Sequence, residues 1–316
     1  MPDNKLVLID GYAILHRALH ALPPLTNKRG ELTNAVYGLV SMLLRVITDL
    51  EPTHIAFCLD EKEPTFRKKE FVAYQAHRPK MYEGLESQIQ KAKDVINAFG
   101  IPMYSKPGFE ADDVIGTLVY QVTESKRKTP ALQLSRSSTL IDEVIIVTGD
   151  RDILQLVNDK VKVYMPILGL SQGKLFGKNE VVEKMGVTPE LIPDYKALVG
   201  DPSDNYKGVN GIGPKTAIKL INEFGEVTSI YKNLKKIPLQ TREKLEKDKD
   251  SALISHKLAT IVKDVSVKLD LDKAGKWDID SQKVLDEFAR LGFKTLAERV
   301  KKVGQQIDSE KQLNLL

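Results

Sequence analysis

The sequence predicts an α/β protein, a mostly parallel sheet flanked by helices, followed by a run of short helices. Three observations carry that expectation. Short apolar strands at Lys5–Ile9, His54–Leu59 and Glu143–Thr148 alternate with helix-length segments, the pattern of a parallel sheet with crossover helices. Each strand runs into an acid at its carboxyl end: Asp10, Asp60, and Asp150 with Asp152 one alternation further. From about Lys178 the pattern changes to short helical segments.

The elements follow in order. After the first strand, Tyr12–Ala21 is apolar-rich and carries Arg17, and Ala35–Leu50 reads as a long central helix with Asn34 as its cap. Beyond the second strand and Pro64 lies a basic segment with aromatic residues: Phe66, Arg67, Lys68, Lys69, Phe71, Tyr74, His77 and Arg78. Residues 86–99 form an amphipathic helix through Ile89, Ala92, Ile96 and Phe99, and Ile101–Tyr104 a short strand. Residues 125–142 read as a surface loop.

Glu110-Ala111-Asp112-Asp113 heads an apolar run through Val114, Ile115, Leu118, Val119 and Val122 at helical spacing. One reading is a helix first turn complementing the macrodipole. The other is a shared cation site, because carboxylates crowded into one corner raise each other's pKa. In open α/β sheets ligands collect outside the carboxyl ends of the strands. Three acids placed there, together with the acidic helix start, weaken the first reading.

Helices are expected at Asn179–Lys184, Pro189–Val199, Pro214–Glu223, Val227–Asn233, Thr241–Lys247 and Asp250–Val262. Between two of them lie Gly200-Asp201-Pro202-Ser203-Asp204-Asn205 and the glycine-rich Gly208-Val209-Asn210-Gly211-Ile212-Gly213-Pro214. The second string is either a tight helix–helix connection or a phosphate site, since a glycine turn opening a helix presents free N–H groups. Lys207, Lys215, Lys219, Lys232, Lys235, Lys236, Arg242, Lys244, Lys247 and Lys249 surround it, the footprint of a nucleic-acid backbone partner.

Composition sets the class. The 316 residues suffice for two domains and a sizeable core, and 42% apolar with 28% charged residues are values of a soluble globular chain. No apolar run reaches membrane-spanning length and no signal peptide is evident, so a cytoplasmic location is expected. Cys58, alone in an apolar strand, is expected as a buried thiol. No spacing of the histidines suggests a zinc site. Trp277 reads as a packing anchor.

The strings LVLIDGYAILHRALHAL, FCLDEKEPTFR, GFEADDVIGTL, VIIVTGDRDILQLV and LVGDPSDNYKGVNGIGPKTAIKLI, in that order, resemble the bacterial 5′→3′ exonuclease family, the 5′-nuclease domains of DNA polymerase I and relatives of flap endonucleases. The resemblance covers residues from about 5 to about 300. It implies a PIN-like catalytic domain with a helical arch over residues 1–177, a helix–three-turn–helix DNA-binding domain over 178–300, and a tail at 301–316. It also implies two-metal-ion hydrolysis of phosphodiester bonds at 5′ ends, nicks and flap junctions of DNA and at RNA/DNA primer junctions. The protein would act as a monomer, fused to or working with a DNA polymerase.

By the same resemblance, Asp10, Asp60, Glu110 and Asp112 would serve one Mg²⁺, and Asp113, Asp150, Asp152, Asp201 and Asp204 the other region, with Mn²⁺ able to substitute. Arg17 matches the family's catalytic arginine, and Arg67, Tyr74 and Arg78 its arch residues. Gly208, Gly211, Gly213, Lys215, Thr216 and Lys219 would hold duplex phosphate, with K⁺ on the turn carbonyls. Carboxylates suit a hard ion that keeps several waters.

Two departures stand out. Gln75 replaces the lysine of the family's YKxxR, and the 125–142 connection is long. With a helical arch, Gln75→Lys would bring charge to the scissile phosphate and speed cleavage. Asp113→Asn or Asp150→Asn would abolish cleavage without harming the metal-free fold. The rival readings are a flap-binding paralogue that has lost catalysis, favoured by Gln75, and a PIN-type ribonuclease, disfavoured by residues 200–220.

Overall fold

Strand β1 (Lys5–Asp10) organises the molecule. In the computed structural model, which describes residues 4–77, 82–123, 140–168 and 172–313, it pairs in parallel with β2 (His54–Cys58) on one side and β4 (Glu143–Val147) on the other. The six-stranded order is β3-β2-β1-β4-β5-β6, with β3 Met103–Tyr104, β5 Val161–Leu168 and β6 Gln172–Phe176. Only β6 runs antiparallel. The chain lays down β2 and β3 on one side of β1 and then crosses to the other. The carboxyl edge between β1 and β4 is therefore the switch point where such sheets bind ligands.

Both faces of the central strands are covered, so they read as continuous apolar runs. Alternation divides them between two cores. Leu6, Leu8, Ala56, Cys58, Val144 and Ile146 pack with Val114, Ile115 and Leu118 of helix α5 (Ala111–Thr123). Val7, Ile9, Ile55, Phe57, Ile145 and Val147 pack with α1 (Gly11–Ala21), α2 (Asn34–Leu50) and α4 (Glu83–Ala98). The short α3 spans Phe66–Glu70. Cys58 is buried and unbonded.

Beyond the sheet come α6 (Lys178–Met185), α7 (Ile192–Val199), α8 (Pro214–Phe224), α9 (Val227–Lys232), α10 (Leu239–Lys247) and α11 (Lys249–Ala259). These match the expected helices within a few residues. After the short α12 (Leu271–Ala274), α13 (Gln282–Leu291) and α14 (Lys294–Leu313) return to the α2/α4 side, where Phe288, Leu296 and Val300 complete that core. Residues 301–313, read as a fraying tail, continue α14, and Val303 and Ile307 pack on the core. Trp277 packs there too and donates to the Thr53 carbonyl at 3.3 Å.

Local details add to these expectations and correct the cap of α2. Thr33 precedes α2, whereas the Asn34 amide turns to the carbonyls of Leu19 and Leu22 and accepts from Gln88. His16 and His20, one turn apart on α1, bring their ring nitrogens to 3.3 Å. The hairpin β5–β6 went unread because Pro166 and Gly173 interrupt the strand pattern. The long connection falls outside the described residues over 124–139, as does Arg78. Among the described residues no helix is long and apolar enough to cross a membrane.

Candidate metal centre and nucleic-acid interface

The carboxylates converge at the switch point. Asp10 ends β1 and caps α1 by accepting from the Ala13 N–H at 3.1 Å, while the Thr148 hydroxyl after β4 donates to its other oxygen at 2.7 Å. Asp60 follows β2 and accepts from the Ala111 N–H at 2.9 Å, which ties it to the start of α5. Asp150 follows β4 and accepts from the Asp152 N–H at 2.8 Å. Burial, with the charge of Asp60 next, lifts the Asp10 pKa to about 7. Burial and then the Asp150 charge lift Asp152 to about 7, and the same two causes push Asp112 well above the carboxylate range. Burial likewise lifts Glu110 to about 7 against the pull of Arg67. Burial is the larger cause in each case, and neighbouring carboxylates add to it.

The helical region contributes the rest. Asp201 and Asp204 follow α7, and their carboxylates join Asp152 in a set whose ligand oxygens all lie within 4.8 Å of one another. The Lys196 ammonium, on α7, stands between Asp152 and Asp201 and bonds to both. Burial alone would raise the Asp201 pKa, but Lys196 outweighs it and holds the group below its ordinary value. Lys196 was not singled out from the sequence. Its signal was a lone lysine in an otherwise apolar helix turn, five residues before Asp201.

Two residues expected at the centre face elsewhere. Arg67 grips Asp113 through two hydrogen bonds of 2.6 and 2.8 Å, and both side chains are buried. Arg67 also donates to the carbonyls of Leu258 and Thr260 and to Glu110 at 3.3 Å, while Asp113 accepts from the Val262 N–H at 2.9 Å. Neither is free to hold an ion or a phosphate. Arg17 lies half-buried on α1.

The arch segment also differs from the expectation. Residues 72–77 are turns, not helix, and Gln75 adopts a left-handed φ of 53°. Its backbone N–H donates to the Asp204 carbonyl at 2.9 Å and its side-chain amide to the Asp204 carboxylate at 3.0 Å. The Tyr74 hydroxyl reaches Glu110 and Asp204, each at 3.2 Å. Tyr74 and Gln75 thus rest on the acidic cluster, and the aromatic face expected to stack a base is buried.

The glycine turn leads from the Asp204 loop into α8. A Cβ on Gly208 would lie 2.3 Å from the Leu198 carbonyl oxygen and 2.4 Å from the Gly200 nitrogen, so only glycine fits. Gly211, at φ 75°, offers its carbonyl to the Lys244 ammonium at 3.0 Å. Gly213 precedes Pro214 at the first position of α8, and Lys215 and Lys219 are exposed one turn apart while Thr216 is half-buried. The arrangement leaves first-turn N–H groups and two ammonium groups on one side.

Residues 5–186 match the 5′–3′ exonuclease N-terminal resolvase-like domain, and residues 187–282 the 5′–3′ exonuclease C-terminal SAM fold. The chain belongs to the 5′–3′ exonuclease family. Among curated relatives of this exonuclease-family chain, DNA polymerase I of Caldicellulosiruptor bescii is 39% identical over 298 residues, covering 94% of the chain and 33% of the polymerase. DNA polymerase I of Bacillus subtilis is 36% identical over 311 residues, covering 98% and 34%. The chain thus spans about a third of the length of these relatives. In fold it resembles the T5 D15 protein co-crystallised with metal ions (TM-score 0.64, 19% identity, 95% of this chain and 98% of that one). It also resembles the catalytic core of Rad2 in complex with a DNA substrate (TM-score 0.59, 16% identity, 95% and 92%).

Proposed function

We propose that this chain is a structure-specific 5′ nuclease that hydrolyses phosphodiester bonds at 5′ ends, nicks and flap junctions of DNA and at RNA primers. The observation that carries the reading is the acidic cluster drawn from both parts of the chain, with Asp152, Asp201 and Asp204 within ligand-sharing distance. An all-oxygen donor set fits Mg²⁺, with Mn²⁺ as a substitute. Asp152, Asp201 and Asp204 would hold one ion, and Asp10, Asp60, Glu110 and Asp112, with Asp150 between the groups, a second. Bound there, divalent cations supply Lewis-acid stabilisation of phosphoryl charge and activate water for in-line displacement.

The chain's own groups do the rest. Asp10 and Asp60 are held in place by N–H donors at the starts of α1 and α5, so the site is preorganised. Lys196 neutralises Asp152 and Asp201 until a cation enters. Arg17 and Arg78 remain candidates for the scissile phosphate, and we assign Arg67 and Asp113 to holding the site together instead. The turn at Gly208–Gly213, with Lys215, Thr216 and Lys219, would take duplex phosphates. Lys244 already supplies a cation to the Gly211 carbonyl expected to bind K⁺. The reaction belongs with the DNA in the cytoplasm, where a monomeric chain would deliver its nicked product to a polymerase.

A flap-binding chain with weakened turnover is the second reading, favoured by the hold of Gln75 and Lys196 on ligand carboxylates. Incubating the protein with 5′-flap DNA and with single-stranded RNA, in Mg²⁺ and in EDTA, separates the possibilities. Cleavage of the flap, dependent on Mg²⁺, is expected. Tight flap binding without cleavage supports the second reading, and preferential RNA cleavage contradicts both.

A further inference from the structure

Among the described residues, the Tyr206 hydroxyl is the single buried side-chain oxygen or nitrogen without a hydrogen-bond partner. The residue is 3% exposed. Its backbone is pinned to Asp201 by two hydrogen bonds, 3.1 Å from its N–H and 2.9 Å to its carbonyl. Its ring stacks on Tyr74 with centroids 6.4 Å apart and planes 14° from parallel. Two nearly parallel phenols therefore flank the acidic cluster. The Tyr74 hydroxyl has acceptors in Glu110 and Asp204, whereas the Tyr206 hydroxyl has none. Burial and, after it, the charges of Asp152, Asp201 and Asp204 hold its proton on.

A buried hydroxyl without a partner is costly and calls for a reason. Packing does not supply one, since phenylalanine would stack on Tyr74 equally well. A divalent ion supplies one, because it keeps part of its water layer when bound by carboxylates, and those waters need partners. A phenol oxygen can accept from such a water and donate onward. We propose that Tyr206 is a positioning residue whose hydroxyl anchors a water of the divalent cation held by Asp152, Asp201 and Asp204. The inference rests on the cation-site reading above, and it concerns a residue of this chain for which the acidic motif alone assigns no role.

Tyr206→Phe removes the hydroxyl and little else. Mn²⁺ binding to the full chain, followed by electron paramagnetic resonance, reads the effect directly. The class of ion that Asp204→Asn eliminates identifies the site. Groups that orient a metal's surroundings typically change affinity by about 10-fold when lost, so Tyr206→Phe should weaken that class by about 10-fold. Its melting temperature in EDTA should be equal to or above that of the wild type. Unchanged Mn²⁺ affinity in Tyr206→Phe overturns the proposal and leaves the cation site intact. A clear loss of metal-free melting temperature also overturns it, because the hydroxyl would then have a structural partner. Absence of any Mn²⁺ binding by the wild type overturns the site reading itself.

Discussion

Successive residues on a helix point about 100° apart, so Asp112 and Asp113 leave α5 in different directions. Asp112 faces the other carboxylates, and Asp113 faces Arg67 and the segment after α11. Breaking a buried ion pair from one side costs about 3–5 kcal/mol, because the remaining charge is left uncompensated. Asp113→Asn should therefore lower unfolding stability in EDTA by about that amount, measured by urea denaturation. Asp150→Asn, which relieves repulsion, should leave it equal or higher. Equal stability of the two variants would show that Asp113 is an ordinary member of the cluster. Lys196 gives the converse case. Lys196→Met leaves Asp152 and Asp201 facing each other, so stability in EDTA should fall by about 3 kcal/mol, and saturating Mg²⁺ should recover most of the loss. A deficit that Mg²⁺ does not touch would place Lys196 outside the cation site.

At the scale of elements, α5 is the instructive case. Its polar residues Asp113, Thr117 and Gln121, at four-residue spacing, meet the N–H groups of Val262, Val265 and Leu269 in turn. That polar stripe on an apolar helix marks a docking seam, and the Asp113 carboxylate is engaged along it by Arg67 and the Val262 N–H. The central strands were legible because both of their faces are buried, and the acids at their ends because the switch point follows from strand order. The partner of Arg67 was not, since it depends on contacts between residues 46 positions apart. Nor was the form of residues 72–77, where bonds to Asp204 outweigh helix propensity. This changes the expectation for Gln75→Lys. A lysine there would pair with Asp204 in place of a neutral amide, a gain of about 1 kcal/mol or roughly fivefold in equilibrium. The Mg²⁺ concentration for half-maximal cleavage should rise by about that factor. Faster cleavage at unchanged Mg²⁺ demand would return the residue to the scissile phosphate.

Across the whole molecule the cluster sets the response to pH. Burial raises Asp10, Glu110 and Asp152 from ordinary carboxylate values to about 7. Between about pH 4 and 7 the folded, metal-free chain thus binds more protons than the unfolded chain. Its stability then falls as pH rises through that window. Asp201, held low by Lys196, acts in the opposite sense only below the window. Urea unfolding in EDTA should give a lower stability at pH 8 than at pH 5, and Mg²⁺ should reduce the difference by replacing the protons. A metal-free stability that climbs from pH 5 to pH 8 would mean that the carboxylates are already compensated.

On the proposed reading, these carboxylates form a cation site for phosphodiester hydrolysis at 5′ structures. Single-turnover cleavage of a 5′-flap DNA in Mg²⁺, comparing the wild type with Asp112→Asn, tests it most directly. A loss on the order of 10²–10³-fold or more is expected, with an EDTA melting temperature no lower than that of the wild type. Cleavage by the wild type in EDTA, or an Asp112→Asn variant that cleaves at the wild-type rate, would contradict it.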